Sequence, residues 1–174
     1  MESHAKLFGH PVHQMLVTFP IGAFGLSVAS DALHSAFGEQ KYADAATLAL
    51  DFGLASAALA VPFGVIDWLA IPDGTRAKGV GLWHAIGNVA MLGLFGASRW
   101  MRAREESSTT AKCLSGAAFM LSGVTAWLGG ELVDRYGIGV KGLVIEEAPG
   151  SLPMSEEAPT LPGIFSPLPR HAPA

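Results

Sequence analysis

Four apolar runs, each long enough to cross a lipid bilayer and separated by short polar links, limit what this chain can become. They cover about residues 12–37, 43–71, 79–100 and 112–133, and a helix needs roughly 20 apolar residues to cross the hydrocarbon core. Each run is apolar on all sides, unlike the surface helix of a water-soluble protein. Burying four such helices in a soluble core would take more chain than 174 residues provide. Only 15% of the residues are charged, and the mean hydropathy is +0.37, whereas a soluble domain is about one quarter charged. The fold class expected is all-α: an integral membrane four-helix bundle whose partner is the lipid bilayer. The first run is too long for the apolar region of a cleaved signal peptide.

The organisation follows from the links. Residues 1–9 read as polar and irregular, Pro72-Asp73-Gly74 as a turn, and Gly137 as the stop of the fourth helix. Residues 1–145 form the transmembrane domain. Residues 146–174 hold seven of the eleven prolines and read as a disordered tail. Residues 140–145 fit a strand, an interfacial segment or coil. Trp68, Trp83, Trp100 and Trp127 fall near span ends, as aromatic belts do. Small residues recur at Gly25 and Ala29, at Ser56, Ala60 and Gly64, at Gly93 and Ala97, and at Ser122, Ala126 and Gly130. Such stripes let helices approach closely.

Several chemistries are excluded. A lone cysteine, Cys113, rules out an internal disulfide, a covalent haem attachment and a thiolate zinc site. No basic stripe serves nucleic acid. No Gly-x-Ser-x-Gly, phosphate-binding glycine loop or His-Glu-x-x-His is present, so if the chain is redox-active it is an electron-transfer subunit rather than a stand-alone enzyme.

Antiparallel threading puts both termini on one side, side A. Cations tie between the two sides, and the denser patch around Arg99, Arg102, Arg104 and Lys112 favours side B as cytoplasmic. All four helices place an ionisable group at similar depth near side A: His10 and His13, Asp67, His84, and Glu131. His84, Asn88, Met91 and Phe95 share one helical face. His13, Pro20, Phe24, Ser27, Asp31 and His34 share another. Polar groups at membrane depth turn inward, so the cluster converges.

Three readings follow. The first is structural, with interhelical hydrogen bonds fixing the packing. The second is a cofactor site. Here His13 and His84, with His10 close by, hold a b-type haem, or a divalent transition metal joins them with a carboxylate. Asp67, Glu131 and Asn88 then orient the imidazoles. The third is a proton or ion path through Asp31, His34 and Asp51 to the side-A cluster.

Gly9-His10-Pro11-Val12-His13, leading into Leu16-Val17-Thr18-Phe19-Pro20-Ile21-Gly22, resembles the opening of a bacterial family of predicted membrane proteins known only as a domain of unknown function. Gly64-Val65-Ile66-Asp67-Trp68, the His84-to-Asn88 spacing and Trp127-Leu128-Gly129-Gly130-Glu131-Leu132-Val133 resemble it too. Gln14 departs from the proline that often follows the second histidine there. The resemblance implies a four-helix domain in the bacterial inner membrane. Some members are joined to Rieske-type iron–sulfur domains, which implies redox chemistry with an iron–sulfur partner. A homo-oligomer is a further expectation.

Overall fold

The computed structural model describes residues 1–105 and 108–140. The expectations for residues 141–145 and for the 146–174 tail lie outside them. A short antiparallel hairpin, β1 (Lys6–Leu7) and β2 (His10–Pro11), precedes α1 (Val12–Leu16), α2 (Thr18–Phe37), α3 (Gln40–Ala70), α4 (Arg76–Arg102) and α5 (Thr109–Asp134). Residues 1–9 are therefore ordered, contrary to the irregular segment expected. The α1 and α2 helices form one span broken at Val17. Pro20 lacks the N–H that would bind the Leu16 carbonyl, which weakens the ladder at that joint. Among the described residues, four helices, counting α1 and α2 together, are long and apolar enough to cross a membrane.

Local chemistry sets the helix ends. Gly38 closes α2 at φ +70, with its N–H on the His34 carbonyl at 2.8 Å, a backbone conformation that glycine adopts without strain. Thr75 caps α4 by accepting from the Lys78 N–H at 3.1 Å. The Lys78 ammonium donates to the last carbonyls of the preceding helix, Trp68 and Ile71, each at 3.0 Å. Its cation is thus at the negative end of α3. With 31 residues, α3 is about 46 Å long, more than the roughly 30 Å hydrocarbon core, so its ends reach the interfaces.

Two tight hairpins result, α1–α2 with α3 and α4 with α5. They dock through α3–α4 and α2–α5. Every helix packs along a seam with alternating spacings of four and three. In α4 the seam is Ala77, Gly81, His84, Asn88, Met91, Phe95, Ser98 and Arg102. In α3 it is Ala46, Leu50, Gly53, Ala57, Ala60, Gly64 and Asp67. A 3.5-residue period keeps one face inward when helices cross at roughly 20°. The mid-bundle core is Phe24, Leu50, Ala57, Met91, Phe95 and Ala118, with the Phe24 and Phe95 rings stacked at 3.9 Å. A second cluster, Ile71, Ala77, Tyr136 and Ile138, covers side A.

The small-residue stripes need correction. Ala60 and Gly64 do face a neighbour, but Ala29, Gly93, Ala97 and Ala126 are exposed, and a methyl group added at Gly93 or Gly130 would meet nothing. Close approach is made instead at Gly53 against Phe24, Gly81 against Trp68, Gly87 against Thr125 and Gly129 against His84. Four-residue spacing marks a stripe without telling which face it occupies. The seam does, because it also carries the large core residues.

Candidate functional site

His13 and His84 are held in the same way. The His13 Nδ1 lies 3.0 Å from the Ala60 carbonyl, and its ring sits on Gly64, one turn further along α3. The His84 Nδ1 lies 2.8 Å from the Thr125 carbonyl, and its ring sits on Gly129, one turn further along α5. A carbonyl only accepts, so each Nδ1 carries the proton and each Nε2 the lone pair. Glycine makes room opposite both rings: a Cβ would come within 2.7 Å of His13, where something must shift, and within 3.0 Å of His84, where the ring must give by a few tenths of an ångström. The two imidazoles are half-buried and close enough to interact electrostatically. The Asn88 amide donates to His84 Nε2 at 3.0 Å and to the His84 carbonyl at 2.9 Å. His13 Nε2 has no hydrogen-bond partner among the described residues.

This likeness belongs to a larger pattern. His13 and His84, Phe24 and Phe95, Ser27 and Ser98, and Asp31 and Arg102 all stand 71 positions apart. Gly22-Ala23-Phe24-Gly25-Leu26-Ser27 matches Gly93-Leu94-Phe95-Gly96-Ala97-Ser98 as Gly-x-Phe-Gly-x-Ser. Their partners on the following helices, Ala46 and Ala111, Ala60 and Thr125, and Gly64 and Gly129, stand 65 apart. The contacts repeat as well: Ser27 Oγ donates to the Ala46 carbonyl at 2.8 Å, and Ser98 Oγ to the Ala111 carbonyl at 2.7 Å. The chain is one helical hairpin used twice, with both copies starting on side A. The stacked phenylalanines and the Asp31–Arg102 pair join equivalent positions across a pseudo-twofold axis that runs along the bundle.

The other expected site residues do not gather round the imidazoles. His10 is exposed on β2, paired with Leu7, so its ring does not join the cluster. Glu131 accepts from Arg135, the residue that caps the end of its own helix, at 3.3 Å. Asp67 is buried but faces the N-terminal segment. It accepts from Ser3 Oγ at 2.8 and 2.9 Å and from the backbone N–H groups of His4 at 2.8 Å and Ala5 at 3.3 Å. Of the orienting residues expected, only Asn88 touches an imidazole. Among the described residues, no three of His, Cys, Asp and Glu cluster closely enough to hold a metal ion.

The residues of the expected proton path each face a cation of the other hairpin. Asp31 takes a bidentate pair from Arg102 at 2.9 and 2.5 Å, buried near side B. Asp51 accepts from Arg99 at 2.5 Å on the outside of the bundle. His34 Nδ1 receives the Lys112 ammonium at 2.8 Å. These contacts bind one hairpin to the other.

Residues 9–142 match a family described as predicted membrane protein, DUF2231. The chain belongs to this family. No curated protein and no solved structure matches it. The DUF2231 match takes in all four spanning helices, both histidine–glycine units and the Phe24–Phe95 stack. It begins after the Ser3–Ala5 turn that Asp67 holds. As a DUF2231 protein the chain is a predicted membrane protein of unknown function, and its four apolar helices place it in a lipid bilayer.

The inward turn of His13, His84 and Asn88 was readable from helical phase, and the similar depth of the two histidines from antiparallel threading. The repeat was also in the sequence, as Gly-x-Phe-Gly-x-Ser at a fixed distance after a histidine. The roles of Gly64 and Gly129 were hidden because glycines are frequent inside these spans.

Proposed function

We propose that His13 and His84 are the axial ligands of one b-type haem, and that the chain carries electrons in the bacterial inner membrane. The observation that supports this most is the matched anchoring of the two imidazoles, one from each hairpin, with Nδ1–H on a backbone carbonyl, which leaves the Nε2 of His13 open and that of His84 held only by the Asn88 amide. Metal-bound histidines are commonly held in this way, because the second-nitrogen hydrogen bond sets both tautomer and ring orientation. Two imidazoles would be donors enough to hold a haem, which would supply one-electron redox chemistry, whereas a bare divalent ion asks for more donors. Binding would require the Asn88 amide to turn off His84 Nε2, at a cost of about 1 kcal/mol, and the hairpins to stand apart at side A. There α5 packs on α2 without comparable packing on α1. The redox partner proposed is an iron–sulfur protein, which follows from the resemblance alone.

A second reading, a structural membrane subunit with no cofactor, is favoured by the Asn88 amide using the His84 Nε2 lone pair that a haem would need. Optical spectra of detergent-purified protein, expressed with haem supplied and read oxidised and reduced, separate the two. Haem gives a Soret band with sharp reduced α and β bands, lost in both His13→Ala and His84→Ala. Absence of the band in the wild-type protein, or its full retention in either variant, overturns the axial assignment.

A further inference from the structure

We infer that residues 1–16 form a hinged lid over the histidine pair, latched shut by Asp67 and carrying His13 with it. The inference rests on the pair being the site, but not on what the site holds. Asp67 lies three residues beyond Gly64, the residue on which the His13 ring rests. On a helix that is the same face, about 4.5 Å nearer to side A. The Ser3-His4-Ala5 turn that binds the carboxylate is therefore held about one helical turn nearer to side A than the glycine on which the His13 ring rests. The segment also crosses to the end of the second hairpin, where the Gly139 N–H donates to the Met1 carbonyl at 2.8 Å and Gln14 Nε2 to the Ile138 carbonyl at 3.4 Å. It thus spans the side-A mouth from one hairpin to the other.

The latch is of a reversible kind. Asp31 is buried against an arginine, whereas the hydrogen bonds to Asp67 come from one hydroxyl and two backbone N–H groups of the segment. Ser3 is 2% and Ala5 9% exposed, so their burial goes with the closed position. When the segment lifts, the carboxylate at the end of α3 meets water and all its acceptors are solvated again. The hinge is built into the chain. The helix is broken at Val17, and Pro20 leaves the joint one hydrogen bond short. Everything before that joint, the β-hairpin and the single turn of α1 that holds His13, is then one unit. Its motion separates His13 from His84 and opens the site to side A.

The test is the rate at which diethylpyrocarbonate modifies each histidine in the full-length protein in detergent, located by mass spectrometry. Asp67→Asn and Ser3→Ala are compared with wild type, and backbone hydrogen exchange of residues 1–11 is followed alongside. Each variant weakens charge-assisted bonds, so His13 modification and exchange of the segment should rise about tenfold. His34, on side B, should keep its wild-type rate. Hemin added to apoprotein should bind faster in the same variants. Unchanged His13 modification in both variants overturns the lid. So does an equal rise at His34, which marks general loosening. If His13 responds but hemin gives no Soret band, the lid stands and the haem reading falls. A Soret band with no His13 response does the reverse.

Discussion

Exchanging Asp31 and Arg102 tests the duplicated bundle at its most buried contact. The two side chains are 6% and 1% exposed and form a bidentate pair. Removing one partner of such a pair leaves an uncompensated charge and costs about 3–5 kcal/mol, so Asp31→Asn and Arg102→Met should each lose that much. Asp31→Arg alone sets two guanidiniums against each other and should be at least as damaging. The double exchange, Asp31→Arg with Arg102→Asp, should recover most of the loss, because the positions are mates across the pseudo-twofold axis and present equivalent backbone. Recovery should not be complete. Arg102 also donates to Ser98 Oγ at 3.3 Å and Ser115 Oγ at 3.4 Å. The equivalent positions hold Ser27, which donates to the Ala46 carbonyl and can still accept, as Ser98 does while donating to the Ala111 carbonyl, and Leu50, which cannot accept. One bond of about 1 kcal/mol is lost, which places the exchanged protein about 1 kcal/mol below wild type. Reversible unfolding in mixed micelles of increasing denaturing-detergent fraction, followed by circular dichroism, reads these differences. An exchanged protein no more stable than Asp31→Arg would refute the equivalence of the two positions.

The histidine-facing glycines should separate binding from folding. Gly64→Ala and Gly129→Ala push a Cβ to 2.7 and 3.0 Å from an imidazole, so hemin affinity should fall in both, further for Gly64→Ala, while helical content by circular dichroism stays. Gly53→Ala drives a methyl to within 2.5 Å of the Phe24 ring, which is itself stacked on Phe95. It should cost about 1–3 kcal/mol by overpacking in the same micelle titration. Gly93→Ala and Gly130→Ala meet nothing within 4 Å and should leave the midpoint unchanged or slightly raised, helix propensity favouring alanine by up to about 1 kcal/mol. Arg99→Gln removes a partly exposed partner of Asp51 and should cost no more than about 1 kcal/mol.

The membrane class, the number of spans and the inward faces were legible because each depends on periodicity along one helix. Hydropathy located the spans, and the phase of His84, Asn88, Met91 and Phe95 gave the seam of α4. Convergence was overcalled where it depended on more than phase. His10 shares the depth of His13, but Pro11 and the positive φ values at Phe8 and Gly9 (50° and 81°) put it on a surface hairpin. Asp67 turns inward as its phase requires, yet the chain's own first residues fill its hydrogen bonds. Glu131 lies off the seam that Thr125 and Gly129 follow, and finds Arg135 instead. The pairing of Asp31, Asp51 and His34 with Arg102, Arg99 and Lys112 is a property of two hairpins brought together, so no single helix contains it.

What the two hairpins share and where they differ fall in separate places. The shared groups, a histidine on a carbonyl and a glycine, a stacked phenylalanine, and a serine on a carbonyl, are those that tie each hairpin together and line the axis. The differing groups are the charges: Asp31 and Asp51 in the first hairpin, Arg99, Arg102 and Lys112 in the second. Two identical acidic hairpins would place carboxylate against carboxylate at the Asp31 position, at membrane depth, where an unpaired charge is costly. Acid on one side and base on the other penalises each hairpin's pairing with its own kind and leaves the cross-pairing favoured. Asn88 against Val17 is the difference that reaches the histidines themselves. It makes the two imidazoles inequivalent before anything binds, so His84 must give up a hydrogen bond that His13 does not have. A ligand entering between them should engage His13 first, the histidine that the hinged segment carries.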